Sequence, residues 1–203
     1  MITRKVIKNI TILFFILHTL AYGENNQSNR IEVLVNENII TKYDIIQRVK
    51  MNSILNRVEV NDENYNKILN AVIDELVTEK LKLRKINEYN INISKEEFNK
   101  QEKRFHLSVN YTKRDLEELF LINNINFINL VELIELELKW QKLIYGLYFR
   151  VTSVTEQEII ELITKNPDLD KEIAHELALQ KQLDIKSAKL IKDLKDEATI
   201  EYR

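Results

Sequence analysis

Residues 31–49 read IEVLVNENIITKYDIIQRV, and the fold turns on how this stretch divides. Ile31, Val33 and Val35 alternate onto one face, the period of a half-buried strand. Asn36-Glu37-Asn38 follows, and asparagine tolerates the left-handed backbone that a tight turn requires. Ile39 and Ile40 resume an apolar run, so the first half reads as a β-hairpin. Thr41, with Asp44 three positions on, fits a capping box with Asp in place of the preferred Glu. A helix is therefore expected to begin directly after the hairpin.

Outward from this stretch the sequence is helical nearly throughout. Two glycines and one proline in 203 residues are too few for a loop-rich or all-β chain. With 44% hydrophobic and 31% charged residues the chain has the means to build a core. Residues 62–89 carry Ile68, Val72, Leu76 and Leu83 on one stripe, with Ile73, Val77 and Leu81 beside it. Ser94 and Glu97 form a full capping box for a third helix to about Ser108. Thr112 and Asp115 open a fourth, carrying Leu116, Leu119 and Phe120. The most apolar helix spans 126–149, and Thr155 with Glu158 caps the next. That helix must stop near Asn166, because the residue before Pro167 avoids the α region. Asp170 starts a last helix to about Lys195, and residues 198–202 favour a strand. A strand needs a partner, so the chain's end is expected to pair with the opening hairpin. The abundance of Asn, Ile and Lys is read as codon bias as much as function, and nothing is drawn from it.

The first 23 residues differ in kind. Arg4, Lys5 and Lys8 precede an apolar run from Ile10 to Leu20, and Ala21-Tyr22-Gly23 offers small residues at a cleavage site. This is the layout of a secretory signal peptide, and the apolar run is short for a membrane span. Residues 24–30 are polar and expected to be flexible. Loss of three of the 30 basic residues leaves 27 against 32 acids, a net charge of about −5. A mildly acidic chain is a poor nucleic-acid binder. No cysteine is present, so disulfides, thiolate metal sites and thiol nucleophiles are excluded.

Catalytic vocabulary is sparse. His175-Glu176 begins a zincin-like pair, but Leu179 occupies the position of the second histidine, and His106 has no partner at helical spacing. Neither is read as a metal ligand, and no cofactor is expected. With Gly146 the only glycine after residue 23, neither a phosphate-binding loop nor a dinucleotide fingerprint can be written. Glu132, Glu135 and Glu137 crowd one helix, but alternate with apolar residues as a solvated face does.

IEVLVNENIITKYDIIQRV resembles the opening of the SurA-type periplasmic chaperones, where strand, Asn-containing turn and strand lead into a helix headed Thr/Ser-x-x-Asp. The resemblance continues through AVIDELVTEKLKLRKINEYNINISKEEF, with Ile91, Ile93, Ser94, Glu96 and Glu97 matching an "I-x-I-S/T-x-E-E" element. YTKRDLEELFLINNINFINLVELIELELKWQKLI is similar to the next helix pair, without the family's usual glycine between the helices. Val151, Thr155 and Glu158 match the exit from the family's N-terminal domain, and SAKLIKDLKDEATIEYR resembles its C-terminal helix and strand. The family's parvulin prolyl isomerase domains normally lie between those last two parts. Here only a few residues around Pro167 separate them.

The resemblance implies a mainly α, multi-helix peptide-binding domain with a small sheet made by the N-terminal hairpin and the C-terminal strand. Residues 31–166 would form the chaperone domain, with 167–203 packing back on it. It further implies an ATP-independent holder of unfolded outer-membrane proteins in the periplasm, without isomerase activity. Candidates for client contact are the aromatics not claimed by a core stripe: Phe105, Tyr111, Phe120, Tyr145, Tyr148 and Phe149. The alternative is an envelope interaction protein with one fixed partner, or a dimer formed by exchange of the C-terminal strand.

Overall fold

The structure, a computed structural model, describes residues 29–203. The leader expected at 1–23 lies outside the described residues. Asn36 makes the first reversal: at φ 52° it joins β1 (Ile31–Val35) to β2 (Asn38–Thr41) through a two-residue turn. The antiparallel register pairs Val33 with Ile40 and Val35 with Asn38, and shifts between Ile31 and Val33. Val33, Val35 and Ile40 are buried, so one face of the hairpin is core.

Thr41 closes the hairpin and opens α1 (Lys42–Asn56). Its hydroxyl accepts from the Asp44 amide at 3.2 Å, while the Asp44 carboxylate accepts from the Thr41 amide at 2.8 Å. The same reciprocal cap heads α3 (Lys95–Val109) at Ser94, α4 (Lys113–Ile122) at Thr112 and α6 (Glu156–Lys165) at Thr155. Each box satisfies two amides that a helix start leaves unpaired. Helices α2 (Tyr65–Glu88) and α5 (Ile128–Tyr148) begin without side-chain caps; α5 tightens into a 3₁₀ turn at Phe149–Val151. Asp170 caps α7 (Lys171–Glu197), accepting from the amides of Glu172 and Ile173.

The end of the chain returns to its beginning. β3 (Ile200–Tyr202) pairs antiparallel with β1, setting Val35 opposite Ile200 and Val33 opposite Tyr202, and the sheet order is β2-β1-β3. The Asn36 amide donates to the Thr199 carbonyl at 2.8 Å, and the Arg203 amide to the Glu32 carbonyl at 2.9 Å.

Two core clusters follow. The larger joins the sheet, Ile45 of α1, Val72 to Ile86 of α2, Trp140 to Ile144 of α5, and Leu183 and Leu194 of α7. The smaller joins Met51 of α1, Leu116 and Phe120 of α4, and Ile125, Leu130 and Ile134, with Phe98, Phe105 and Val109 of α3 against it. Leu83 departs from the expected stripe. It is 41% exposed, because α2 turns Val77 and Leu81 to the core and Leu83 to an open cleft.

Asparagine has a structural use here, beyond codon bias. Among the described residues, four of the five non-glycine residues at positive φ are Asn36, Asn90, Asn110 and Asn124. Asn124, at φ 54°, occupies the α4–α5 turn, in the left-handed region that glycine enters freely and asparagine tolerates.

Two predictions follow from these contacts. Deleting residues 198–203 strips the outer strand from β1 and should lower the thermal midpoint by roughly 4–8 °C, measured by circular dichroism. The second concerns acid. The Lys142 ammonium and the Ser94 amide hold the Glu97 carboxyl down at about 2, and Asp115 and Glu158 are lowered by their own caps. Carboxyls lowered in the fold stabilise it above their ordinary range, and that stabilisation is lost as pH falls. Thermal midpoints should therefore decline between about pH 4.5 and pH 2, and less steeply in Glu97→Gln.

Candidate functional site

Helix α2 packs on α1 at one side and α5 at the other. Where the three diverge they leave a cleft of about 410 Å³. Asp44, Arg48 and Met51 face it from α1, at the i, i+4, i+7 spacing of one helix face. Leu76, Glu79, Lys80 and Leu83 face it from α2; Asn129, Glu132, Leu133, Glu135, Leu136 and Lys139 face it from α5. Ile40 of β2 completes the lining. Its apolar surface comes chiefly from exposed Leu83 and half-buried Leu133 and Leu136, over a floor of buried Ile40, Met51 and Leu76, with charges among the lining residues.

Most of those charges are engaged. The Arg48 guanidinium is buried and grips Glu79 with both terminal nitrogens, one at 2.8 Å, with Glu75 3.7 Å away. Lys139 pairs with Glu135 at 2.6 Å one turn along α5. Asp44 is held in the Thr41 cap. Lys80 and Glu132 have no ion pair among the described residues, leaving one unmatched charge of each sign. The site can shelter apolar side chains and offer two polar handles. Its residues form no nucleophile–base pair, and among the described residues no group of acids or histidines is placed to hold a metal ion.

Buried polar groups fix the cleft walls. The Gln47 amide nitrogen donates to the Asn124 carbonyl at 2.9 Å, and its oxygen accepts from the Asn126 amide at 2.9 Å. One side chain thus pins α1 to the α4–α5 turn as a short strand would, and Lys50 adds a bond to the Asn123 carbonyl at 3.0 Å. On the back of α5, buried Lys82 meets Glu137 at 2.6 Å and lies over the Trp140 ring, whose indole N–H donates to Ser187 at 2.8 Å. Glu137 therefore bridges helices, where the sequence pattern suggested only a solvated face.

None of the six aromatics chosen from sequence lines this cleft. Phe120 is a core residue, fully buried with Leu116 on the single inward stripe of α4 and 5.8 Å from the Phe127 ring. Phe105 and Tyr111 are half-buried against the same cluster, and the Arg57 guanidinium covers the Tyr111 ring at 4.8 Å. Tyr148 packs on the larger cluster. Only Tyr145 and Phe149 are well exposed, their rings stacked 4.4 Å apart at the far end of α5. His175 is exposed, and His106 sits edge-on to Phe105. The cleft's leucines were missed because they belong to apolar helices. One signal was available: Leu76 and Leu83 share a line on α2 distinct from Val77 and Leu81, and two stripes on one helix need two partners.

The geometry can be set beside known proteins. No family model matches the chain. A SurA chaperone of Hydrogenovibrio crunogenus is 25% identical over 180 residues, which cover 87% of this chain and 40% of that protein. A second, from Buchnera aphidicola of the pea aphid Acyrthosiphon pisum, is 27% identical over 169 residues, covering 77% of this chain and 38% of its own length. The chain is similar to SurA chaperones. The similarity to SurA runs through most of this chain, which spans about two fifths of the length of these relatives. Among the described residues no helix is long and apolar enough to cross a membrane.

The Gln47 clamp is directly testable. Gln47→Ala removes both hydrogen bonds of a buried side chain, which costs roughly 1–2 kcal/mol. Urea unfolding should show a midpoint lowered to match, with the slope unchanged.

Proposed function

We propose that this protein is an ATP-independent periplasmic chaperone that binds unfolded outer-membrane proteins in the α1–α2–α5 cleft and keeps them from aggregating. The observation that carries this reading is the cleft itself, an open apolar trough framed by charges in a chain similar to SurA chaperones. Residues 31–166 supply the binding domain and 167–203 brace it from behind. An unfolded barrel strand exposes apolar side chains on alternate positions and aggregates through them. Leu83, Leu133 and Leu136 offer such side chains a surface that reads no particular sequence. Covering about 300 Å² of apolar client surface is worth roughly 7 kcal/mol before association entropy removes much of it. Weak, reversible holding is the expected result, and it suits a client in transit.

The stacked Tyr145 and Phe149 give a second, shallower contact for aromatic client residues. No isomerase step is assigned to this chain, which spans about two fifths of the length of the SurA chaperones it is similar to.

The test is suppression of aggregation of a urea-unfolded outer-membrane protein, followed by light scattering at several-fold chaperone excess. Suppression is expected, and Leu83→Glu should weaken it about tenfold while leaving the thermal midpoint within a degree or two, since Leu83 is already exposed. Absence of suppression by the wild-type chain would reject the reading.

A further inference from the structure

We propose that the outer edge of β3 is a second client site, where a strand of unfolded outer-membrane protein adds antiparallel to the sheet as its fourth strand. The identity of that strand rests on the client reading above; the open edge itself does not.

The register decides which backbone groups are free. The Asn36 amide donates to the Thr199 carbonyl and the Arg203 amide to the Glu32 carbonyl, while Leu34 stands opposite Glu201. Thr199, Glu201 and Arg203 therefore turn their backbone groups to β1, and Ile200 and Tyr202 turn theirs the other way. β3 is an edge strand in the order β2-β1-β3, and the amides and carbonyls of Ile200 and Tyr202 have no partner among the described residues. Such a row is a template for a further strand, and neither proline nor lysine blunts it within residues 198–203. At the other edge β2 runs directly into α1 at Thr41, which is engaged in the Asp44 cap, so an incoming strand finds little to pair with there.

The two faces of β3 specify the occupant. Ile200 lies beside Val35 on the core face, half-buried against the larger cluster. Tyr202, beside Val33 on the same face, is 69% exposed, so the apolar surface continues past the cover of the helices. Glu201 and Arg203 are exposed on the opposite face, 3.5 Å apart, one charge of each sign. A strand laid along this edge needs apolar residues at every second position and polar ones between, which is the alternation of a barrel strand. Main-chain bonds supply the affinity without reading a particular sequence. The edge is also near the cleft: β3 is two strand spacings, about 10 Å, from β2, whose Ile40 lines it. About three extended residues span that distance, so one unfolded chain can occupy both sites, each strengthening the other.

In an antiparallel fit the client residues that bond to β3 are its apolar ones, since they share a face with Ile200 and Tyr202. A labelled peptide of about ten alternating residues, one barrel strand in length, is titrated into the full chain and its affinity read by fluorescence anisotropy. N-methylation of the apolar residues' amides should weaken binding at least about tenfold, and N-methylation of the polar residues' amides less than about threefold. Tyr202→Pro removes an outward amide and leaves every bond to β1 in place. It should weaken binding about tenfold with the thermal midpoint unchanged to within a degree or two, while Tyr202→Thr, which keeps the amide, should stay within about threefold of wild type. Equal loss from the two methylated peptides, or wild-type affinity in Tyr202→Pro, would overturn the proposal. So would a wild-type dimer that Tyr202→Pro converts to a monomer in sedimentation, since a second copy would then hold the edge. Binding weakened by Leu83→Glu alone upholds the cleft and overturns the edge; binding weakened by Tyr202→Pro alone upholds the edge and counts against the cleft. No binding of the unmodified peptide would overturn both.

Discussion

The cleft depends on the pairing of the last strand with the first. β1 is held on both sides, by β2 across a two-residue turn and by β3 across nearly the full length of the chain. That closure lays α7 along the backs of α2 and α5, where Trp140 bonds to Ser187 and Leu183 and Leu194 enter the core. With their rear faces covered, α2 and α5 can leave Leu83 exposed, and Leu133 and Leu136 half-buried, at the cleft without losing the fold. The client surface proposed for this chain is an apolar surface kept open, and such a surface needs a brace on its other side.

Polar contacts do the rest of the positioning. An apolar cleft lined by flexible leucines would tend to close on itself, since burying them is favourable. Arg48 with Glu79, and Gln47 with the α4–α5 turn, set the spacing of α1 from its neighbours by bonds whose geometry is directional. Losing one partner of a buried ionic pair is far costlier than a small gain in apolar contact. The walls are therefore held apart by groups that cannot be traded for tighter packing.

Much of this was legible in the sequence, and the parts that were not share a cause. Capping boxes are local, so Thr41, Ser94, Thr112 and Thr155 marked their helix starts within a residue. The closing strand was inferred because residues 198–202 favoured extension and only the hairpin could pair with them. The cleft was not picked out by the sequence reading, which named aromatic residues elsewhere. Aromatic side chains drew attention as sticky surface, yet Phe120 is sealed in the core because a ten-residue helix with one buried stripe has nowhere else to send it. Leucines at the same spacing were assigned to the core, and those on the second stripe of α2 and on α5 line the cleft. Burial of this kind is decided by which helix lies opposite, and periodicity alone does not name the neighbour. Asn124 was similarly opaque: the missing glycine in its turn is explained only once its φ is known.

The central claim is that unfolded outer-membrane protein is held between α1, α2 and α5. The most direct measurement places a photo-crosslinking side chain at position 83, and in a parallel variant at position 185, and irradiates each with an unfolded outer-membrane protein. The account predicts strong capture at 83 and little at 185. Equal capture at both positions, or capture at 185 alone, would contradict it.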